Sequence, residues 1–195
     1  WSPEAKQRLL QQLKERSQLT SLDREQTDRF AQYRNCPERF ALEILGQKWW
    51  AKQIQLAHMV RDNDRVGCQS GHSVGKSHSL AGIVLWFLHC FAPAIIITTA
   101  PSTAQVIKIL WKEIRQQAAK SKEKLLPGLL PKKPEWHVTD GYFARGVCTD
   151  KGERFRGEHG PNMLFVFDEA NGVPDFAWDE AENMLTASNN KLVAV

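Results

Sequence analysis

Polar and apolar positions follow two rhythms along the chain, and the change between them divides it. Up to about Gly46 charged residues dominate and apolar ones form narrow stripes. Ser2-Pro3-Glu4 combines a capping hydroxyl, a proline at the first helical position and an acid near the positive end of the helix dipole. This predicts a helix to about Gln18 with Leu9, Leu10 and Leu13 on one side. A second polar helix is predicted from Leu22 to Tyr33, and a short third from Cys36-Pro37 to Leu45-Gly46. Residues 1–46 therefore read as a helical N-terminal segment, a cover or arm more than a core.

From residue 47 strands and helices alternate. An amphipathic helix, Trp49 to Val60, precedes a strand, Arg65 to Gln69, and a glycine-containing turn, Ser70 to Lys76. The stretch Leu80 to Ile97 is nearly all apolar and long enough to span a bilayer, but it contains Gly82, His89 and Pro93. It reads better as a buried helix to Phe91, a proline-marked turn and a buried strand, Ala94 to Thr98. A helix from Thr103 to about Ala119 and a Lys- and Pro-rich loop, Lys120 to Pro134, come next. Glu135 to Thr139 and Tyr142 to Cys148 flank Asp140-Gly141, a typical two-residue hairpin turn. After the polar stretch Thr149 to Gly160 come an apolar strand, Met163 to Phe167, a helix around Asp175 to Leu185, and a last strand, Lys191 to Val195. Continuously apolar strands separated by helices predict an α/β domain over 47–195, with a mainly parallel central sheet covered by helices on both faces.

Composition narrows the class without naming a function. The 195 residues are 42% hydrophobic and 25% charged, which fits one soluble domain and excludes long disorder or a collagen-like repeat. A net charge of +4 permits a polyanionic partner without demanding one. Cys36, Cys68, Cys90 and Cys148 form no CxxC pair, which favours reduced thiols over a disulfide frame or a zinc site. No secretory signal pattern opens the chain.

Two motifs carry chemistry. Ser70-Gly71-His72-Ser73-Val74-Gly75-Lys76-Ser77 lies between a strand and an apolar helix, the context of a phosphate-cradling loop. Gly71 and Gly75 let backbone N–H groups curl around phosphate oxygens, and the helix N-terminus points its positive end at them. Lys76 reaches the β- and γ-phosphates and the Ser77 hydroxyl ligates Mg²⁺. Ser70 stands where the usual signature has its first glycine. The second motif is Asp168-Glu169, directly after the buried strand Met163 to Phe167. Charge is tolerated there only where the strand emerges at its C-terminal edge. Asp168 is read as holding Mg²⁺ through water or Ser77, and Glu169 as orienting the attacking water. Together the motifs point to a P-loop NTPase that hydrolyses nucleotide. A chance Gly-Lys-Ser turn and a solvated acidic strand end are the plain alternatives.

With these and three further blocks, the chain resembles the ATPase domain of tailed-phage large terminases over about Pro37 to Val195. Trp49-Trp50-Ala51-Lys52-Gln53 is similar to the family's adenine-recognition segment, which implies Gln53 as base contact. Arg65 to Ser77 resembles its deviant phosphate loop, and Ile97-Thr98-Thr99-Ala100-Pro101-Ser102 with Gln105-Val106 resembles the next strand-to-helix turn. Arg154-Phe155-Arg156-Gly157-Glu158-His159-Gly160 and the segment from Leu164 to Pro174 complete the set. The resemblance implies ATP with Mg²⁺ and translocation of double-stranded DNA by a pentameric homo-oligomeric ring at the capsid portal. It further implies a small terminase subunit as partner, and a location in the host cytoplasm at the procapsid with no membrane association.

The chain departs from that pattern at His72, where some relatives carry an arginine that senses the γ-phosphate. A neutral imidazole cannot replace a bidentate guanidinium, so Arg154 or Arg156 is the candidate to supply the charge from a neighbouring subunit. Lys191 to Val195 resembles the strand leading into a coupling motif, so the ATPase domain is expected to be cut before that motif, and no nuclease chemistry is expected of this segment. Lys108, Lys112 and Arg115, with Lys120, Lys122, Lys124, Lys132 and Lys133, offer either a DNA-backbone track or a solubilising surface. Trp86, Phe87 and Phe91 read as core, and His159 as a structural histidine. A helicase-like P-loop ATPase and an assembly subunit without turnover are the competing functions.

Overall fold

The computed structural model describes residues 29–69, 71, 74–148 and 158–195. The helices expected before residue 29, Ser70, His72 and Ser73 of the phosphate turn, and Arg154 and Arg156 lie outside the described residues. Six strands form one sheet in the order β1-β6-β5-β2-β4-β3: β1 is Arg65–Gly67, β2 Ile95–Ala100, β3 Glu135–Thr139, β4 Tyr142–Cys148, β5 Met163–Phe167 and β6 Lys191–Ala194. All neighbours pair in parallel except β3 and β4, the hairpin, where Thr139 pairs with Tyr142 across Asp140-Gly141.

Helices cover both faces, as the alternation predicted. On one face lie α1 (Pro37–Arg39, continued by a π turn over Phe40–Ile44), α2 (Ala51–Asp62) and α3 (Lys76–Cys90). Beside them runs α4, built from Thr103–Gln105, a π turn over Val106–Leu110, and Trp111–Ala119. On the other face lies α5, Asp175–Met184. The strand alternation sorts side chains accordingly: Ile96, Leu164, Val166 and Val193 join the core under α3, whereas Phe165, Phe167 and Leu192 join the one under α5.

The long apolar run divides as expected, into α3 ending at Cys90 and β2 starting at Ile95. Among the described residues no helix is long and apolar enough to cross a membrane. Ser79 to Cys90 are buried because α3 is packed against the sheet on one side and other helices on the other. Three buried indoles fix this layer, each with its N–H satisfied: Trp86 donates to the Tyr33 carbonyl (2.9 Å), Trp111 to Thr98 Oγ1 (2.8 Å) and Trp136 to the Pro127 carbonyl (3.0 Å). Buried His89 donates from Nδ1 to the Leu85 carbonyl (2.7 Å) and accepts at Nε2 from the Leu126 N–H (3.2 Å), tying the loop after α4 to α3.

Boundaries differ from expectation where sheet pairing decides. β1 ends at Gly67, because the chain leaves the sheet after the Cys68 N–H bonds the Ala194 carbonyl (2.9 Å). β2 runs on to Ala100, because β4 pairs with it as far as Ala100↔Cys148 and β5 as far as Thr99↔Phe167. The four cysteines are free thiols.

Candidate functional site

The C-terminal ends of β1, β5 and β6 lie side by side, and the two chemical motifs leave from the outer pair of these strands. Gly75 adopts φ +86° at the start of α3, a left-handed turn that a side chain would strain. That turn aims the first residues of α3, Lys76 and Ser77, back at the end of β5.

There they meet residues distant in sequence. Ser77 Oγ lies 3.3 Å from Asp168 Oδ2, and Lys76 Nζ lies 4.0 Å from Glu169 Oε1. Asp168 is only 2% exposed, and its Oδ1 is buried without a hydrogen-bond partner. Burial raises its pKa; the Ser77 hydrogen bond lowers it, Glu169 raises it and Lys76 lowers it, and the net shift is upward. A desolvated carboxylate with an unsatisfied oxygen beside a hydroxyl is a hard-oxygen donor set suited to Mg²⁺. Among the described residues no group of three or more His, Cys, Asp or Glu could hold a metal.

Glu169 has φ +54° and ψ +50°, a left-handed conformation uncommon for a residue with a side chain. The backbone holds it there: the Asp168 N–H donates to the Thr99 carbonyl (2.9 Å) and the Ala170 N–H to the Val195 carbonyl (2.8 Å). Its side chain stays 44% exposed, facing a cleft of about 450 Å³ lined by Gly67, Cys68, Gln69, Lys76, Asn171 and Trp178, among others.

A second cleft, about 360 Å³, opens beside the first, with Cys68, Gln69 and Lys76 common to both. Trp50, Gln53, Leu56, Met59 and Val74 line it. Gln53 is 9% exposed and its Oε1 accepts the Trp50 N–H (3.2 Å) at the start of α2. A Cβ built on Gly75 would lie 3.2 Å from its Nε2, so the amide lies near the turn at Gly75.

Of the candidate residues, Gln53, Val74, Lys76 and Glu169 line the two adjoining clefts, Ser77 and Asp168 meet beside Lys76 and Glu169, and Gly71 is exposed. Sequence reasoning did not single out Cys68, Gln69, Asn171 or Trp178. Trp178 sits on α5 with its ring 4.2 Å from that of Phe167, and its sequence signal is that of any amphipathic helix. The basic residues divide. Lys108, Lys112, Lys120, Lys122, Lys124, Lys132 and Lys133 are exposed; Lys122 Nζ also donates to the Leu42 carbonyl (3.2 Å), and half-buried Arg115 donates to the Lys133 carbonyl (2.6 Å). His159 is exposed.

No family model matches the chain. In sequence it is similar to a probable terminase large subunit of Enterobacteria phage P7, 27% identical over 157 residues, covering 74% of this chain and 31% of that protein. In structure it is similar to the HK97 bacteriophage large terminase, with a TM-score of 0.63 and 19% identity over 86% of this chain and 37% of that one. The ATPase domain of the Thermus phage P74-26 large terminase aligns at a TM-score of 0.56 and 20% identity, covering 80% of this chain and 67% of that one. A large terminase from a thermophilic bacteriophage in complex with ADP aligns at 0.52 and 15% identity, covering 74% and 37%. The chain spans about a third of the length of the curated relative it matches. The likeness shows the fold, that of the large terminase ATPase domain.

Proposed function

We propose that this chain is the ATPase portion of a phage large terminase, a motor that hydrolyses ATP with Mg²⁺ to drive double-stranded viral DNA into a capsid. One observation carries the reading: Lys76 and Ser77, at the head of one helix, stand against Glu169 and Asp168 at the end of a strand distant in sequence. A chance Gly-Lys-Ser turn has no reason to meet an acidic strand end in this pairing. Sequence similarity to a terminase large subunit supports the same assignment.

The roles follow from charge and position. Backbone N–H groups of the turn containing Gly71 and Gly75, at the positive end of α3, bind phosphate oxygens, and Lys76 neutralises charge on the β- and γ-phosphates. Ser77 and Asp168 would hold Mg²⁺, which when bound offsets the phosphate charge and orients the phosphates. Glu169, exposed to the cleft, accepts a hydrogen bond from the attacking water and aligns it with the γ-phosphorus. The base lies in the neighbouring cleft beside Gln53. Arg154 or Arg156 supplies the transition-state charge from the next subunit of a ring.

We assign residues 47–195 as the ATPase domain and 1–46 as a helical segment before it. The exposed lysines on α4 and the loop after it suit contact with a DNA backbone. A portal-mounted ring and a small terminase subunit complete the proposed assembly, in the host cytoplasm at the procapsid. ATP turnover measured with and without double-stranded DNA over a range of protein concentration tests the proposal. Turnover that rises with both supports a DNA motor working through shared sites. Turnover indifferent to both favours a stand-alone P-loop ATPase, and nucleotide binding with no turnover favours an assembly subunit.

A further inference from the structure

Resting on the ATPase reading of the site, we propose that Glu113 and Gln117 on α4 are positioning residues for hydrolysis, holding the head of α3 through His78 so that Lys76 and Ser77 stay aligned with Glu169 and Asp168. His78 follows Ser77 directly in α3, and successive side chains of a helix leave its axis about 100° apart. Ser77 therefore meets the end of β5, its Oγ 3.3 Å from Asp168 Oδ2, while His78 meets α4. There His78 Nδ1 lies 2.8 Å from Glu113 Oε1 and, against a carboxylate, is the donor. Gln117 lies one turn on from Glu113 and directs both hydrogens of its amide to the same place. Its Nε2 donates to the His78 carbonyl at 2.9 Å and to Glu113 Oε1 at 3.0 Å. The side chain and the backbone of one residue in the first turn of α3 are thus held from α4 together.

Two features set this contact apart from ordinary helix packing. Gln117 is 3% exposed, and its Oε1 is buried without a hydrogen-bond partner. An orphaned acceptor is unfavourable and a methionine fills a similar volume without one, so packing alone does not account for an amide here. The second feature is the π turn over Val106–Leu110, just ahead of Glu113. It inserts one residue into α4; a regular helix from the same start would carry Glu113 and Gln117 about 100° round the axis, away from His78. Within the head of α3, the Ser79 hydroxyl donates to the Gly75 carbonyl (3.0 Å), a bond that moves with the turn, whereas the clasp from α4 ties the turn to the rest of the fold. Glu169 is placed by β5 and the phosphates by α3, so the relation of these two elements sets how the attacking water meets the γ-phosphorus. A misplacement of about 1 Å costs on the order of a hundred-fold in rate. Binding is less sensitive, because the long Lys76 side chain follows the phosphates.

The test compares the wild-type chain with Gln117→Met, Glu113→Ala and Glu113→Gln. A fourth variant, Glu182→Gln, is the control: it removes the ion pair with Arg65 (2.6 Å), at the end of β1 away from the site. Three quantities are measured: ATP turnover with Mg²⁺, binding of methylanthraniloyl ATP, and amide hydrogen exchange of the ligand-free chain. In Gln117→Met and Glu113→Ala kcat is expected to fall about ten- to a hundred-fold while affinity changes only a few-fold, and exchange to rise over residues 76–80 but not in β5. Glu113→Gln keeps an acceptor for His78 and Gln117 and recovers most of the turnover; Glu182→Gln leaves turnover and affinity near wild type. Turnover near wild type in Gln117→Met and Glu113→Ala overturns the inference and leaves the ATPase reading standing. Exchange that rises throughout the chain, with affinity lost in step with kcat, marks a merely structural contact and overturns it equally. A wild-type chain that binds no nucleotide, or binds it without turnover, overturns the ATPase reading on which the inference rests.

Discussion

Asp168→Asn should stabilise the ligand-free chain and abolish its response to Mg²⁺ and ATP. In the fold Asp168 is 2% exposed, with Ser77 on one oxygen and nothing on the other. A buried acceptor without a partner costs about 1–3 kcal/mol, more when charged. Asparagine has the same shape and keeps an oxygen for Ser77; it leaves one polar group unsatisfied but removes the desolvated charge. A gain of about 1–2 kcal/mol raises the melting temperature by roughly 2–8 °C for a chain of this size. The pH dependence has a definite sign. Because burial lifts the folded-state pKa above its ordinary 3.8, the wild-type chain is favoured when Asp168 is protonated and loses that stability as pH rises through the folded value. The variant's advantage therefore grows as pH rises through the folded value and vanishes below about 3.8. Ligand reverses the order: at a hundred times Kd, Mg²⁺-ATP stabilises the wild-type chain by about 2.7 kcal/mol, and the variant by little. Thermal melts with and without Mg²⁺-ATP, at neutral and acidic pH, read both effects. A variant less stable than wild type without ligand, or one that keeps the Mg²⁺-dependent shift, would refute the reasoning.

Glu169→Gln should bind ATP but lose about a hundred-fold or more in turnover, since it removes the group that aligns water; unchanged turnover would sink that role. Lys76→Ala should lose most nucleotide affinity, and tight binding by that variant would count against the phosphate-turn assignment. His89 is held neutral by burial, its pKa pushed from 6.5 to about 4, so its contribution is present above pH 6.5 and lost as pH falls through about 4. Denaturant titrations between pH 7 and 4 should show a loss on the order of 3 kcal/mol from this group, with a flatter profile in His89→Gln. Gly82→Ala places a methyl against the Trp49 indole, which packs on α3 just before the cleft residue Trp50. A cost of about 1–3 kcal/mol is expected in chemical denaturation, and a neutral result would contradict the tight packing.

Much of the fold follows from local pattern. The apolar run Met163–Phe167 forms β5 because five uncharged residues in a row suit a strand covered on both faces, and Pro93 divides the run around it because a proline stops a helix. The proposed phosphate turn was suggested by a pattern of the same local kind: glycines, a lysine and a hydroxyl in sequence between a strand and a helix. Pairing at a distance was not. That β6 inserts between β1 and β5 depends on which strand edges meet, and alternation of side chains within one strand carries no record of its neighbour.

The same limit separates what the site residues are from what they do. Sequence by itself determined the chemical groups and the α/β frame that delivers them to the strand ends. Only tertiary structure set Ser77 3.3 Å from Asp168, left one carboxylate oxygen unsatisfied and turned Glu169 into a left-handed conformation. Those outcomes come from desolvation and from hydrogen bonds between segments that close on each other only when the sheet forms. The energies of such contacts belong to pairs of residues, and no single stretch of chain contains them.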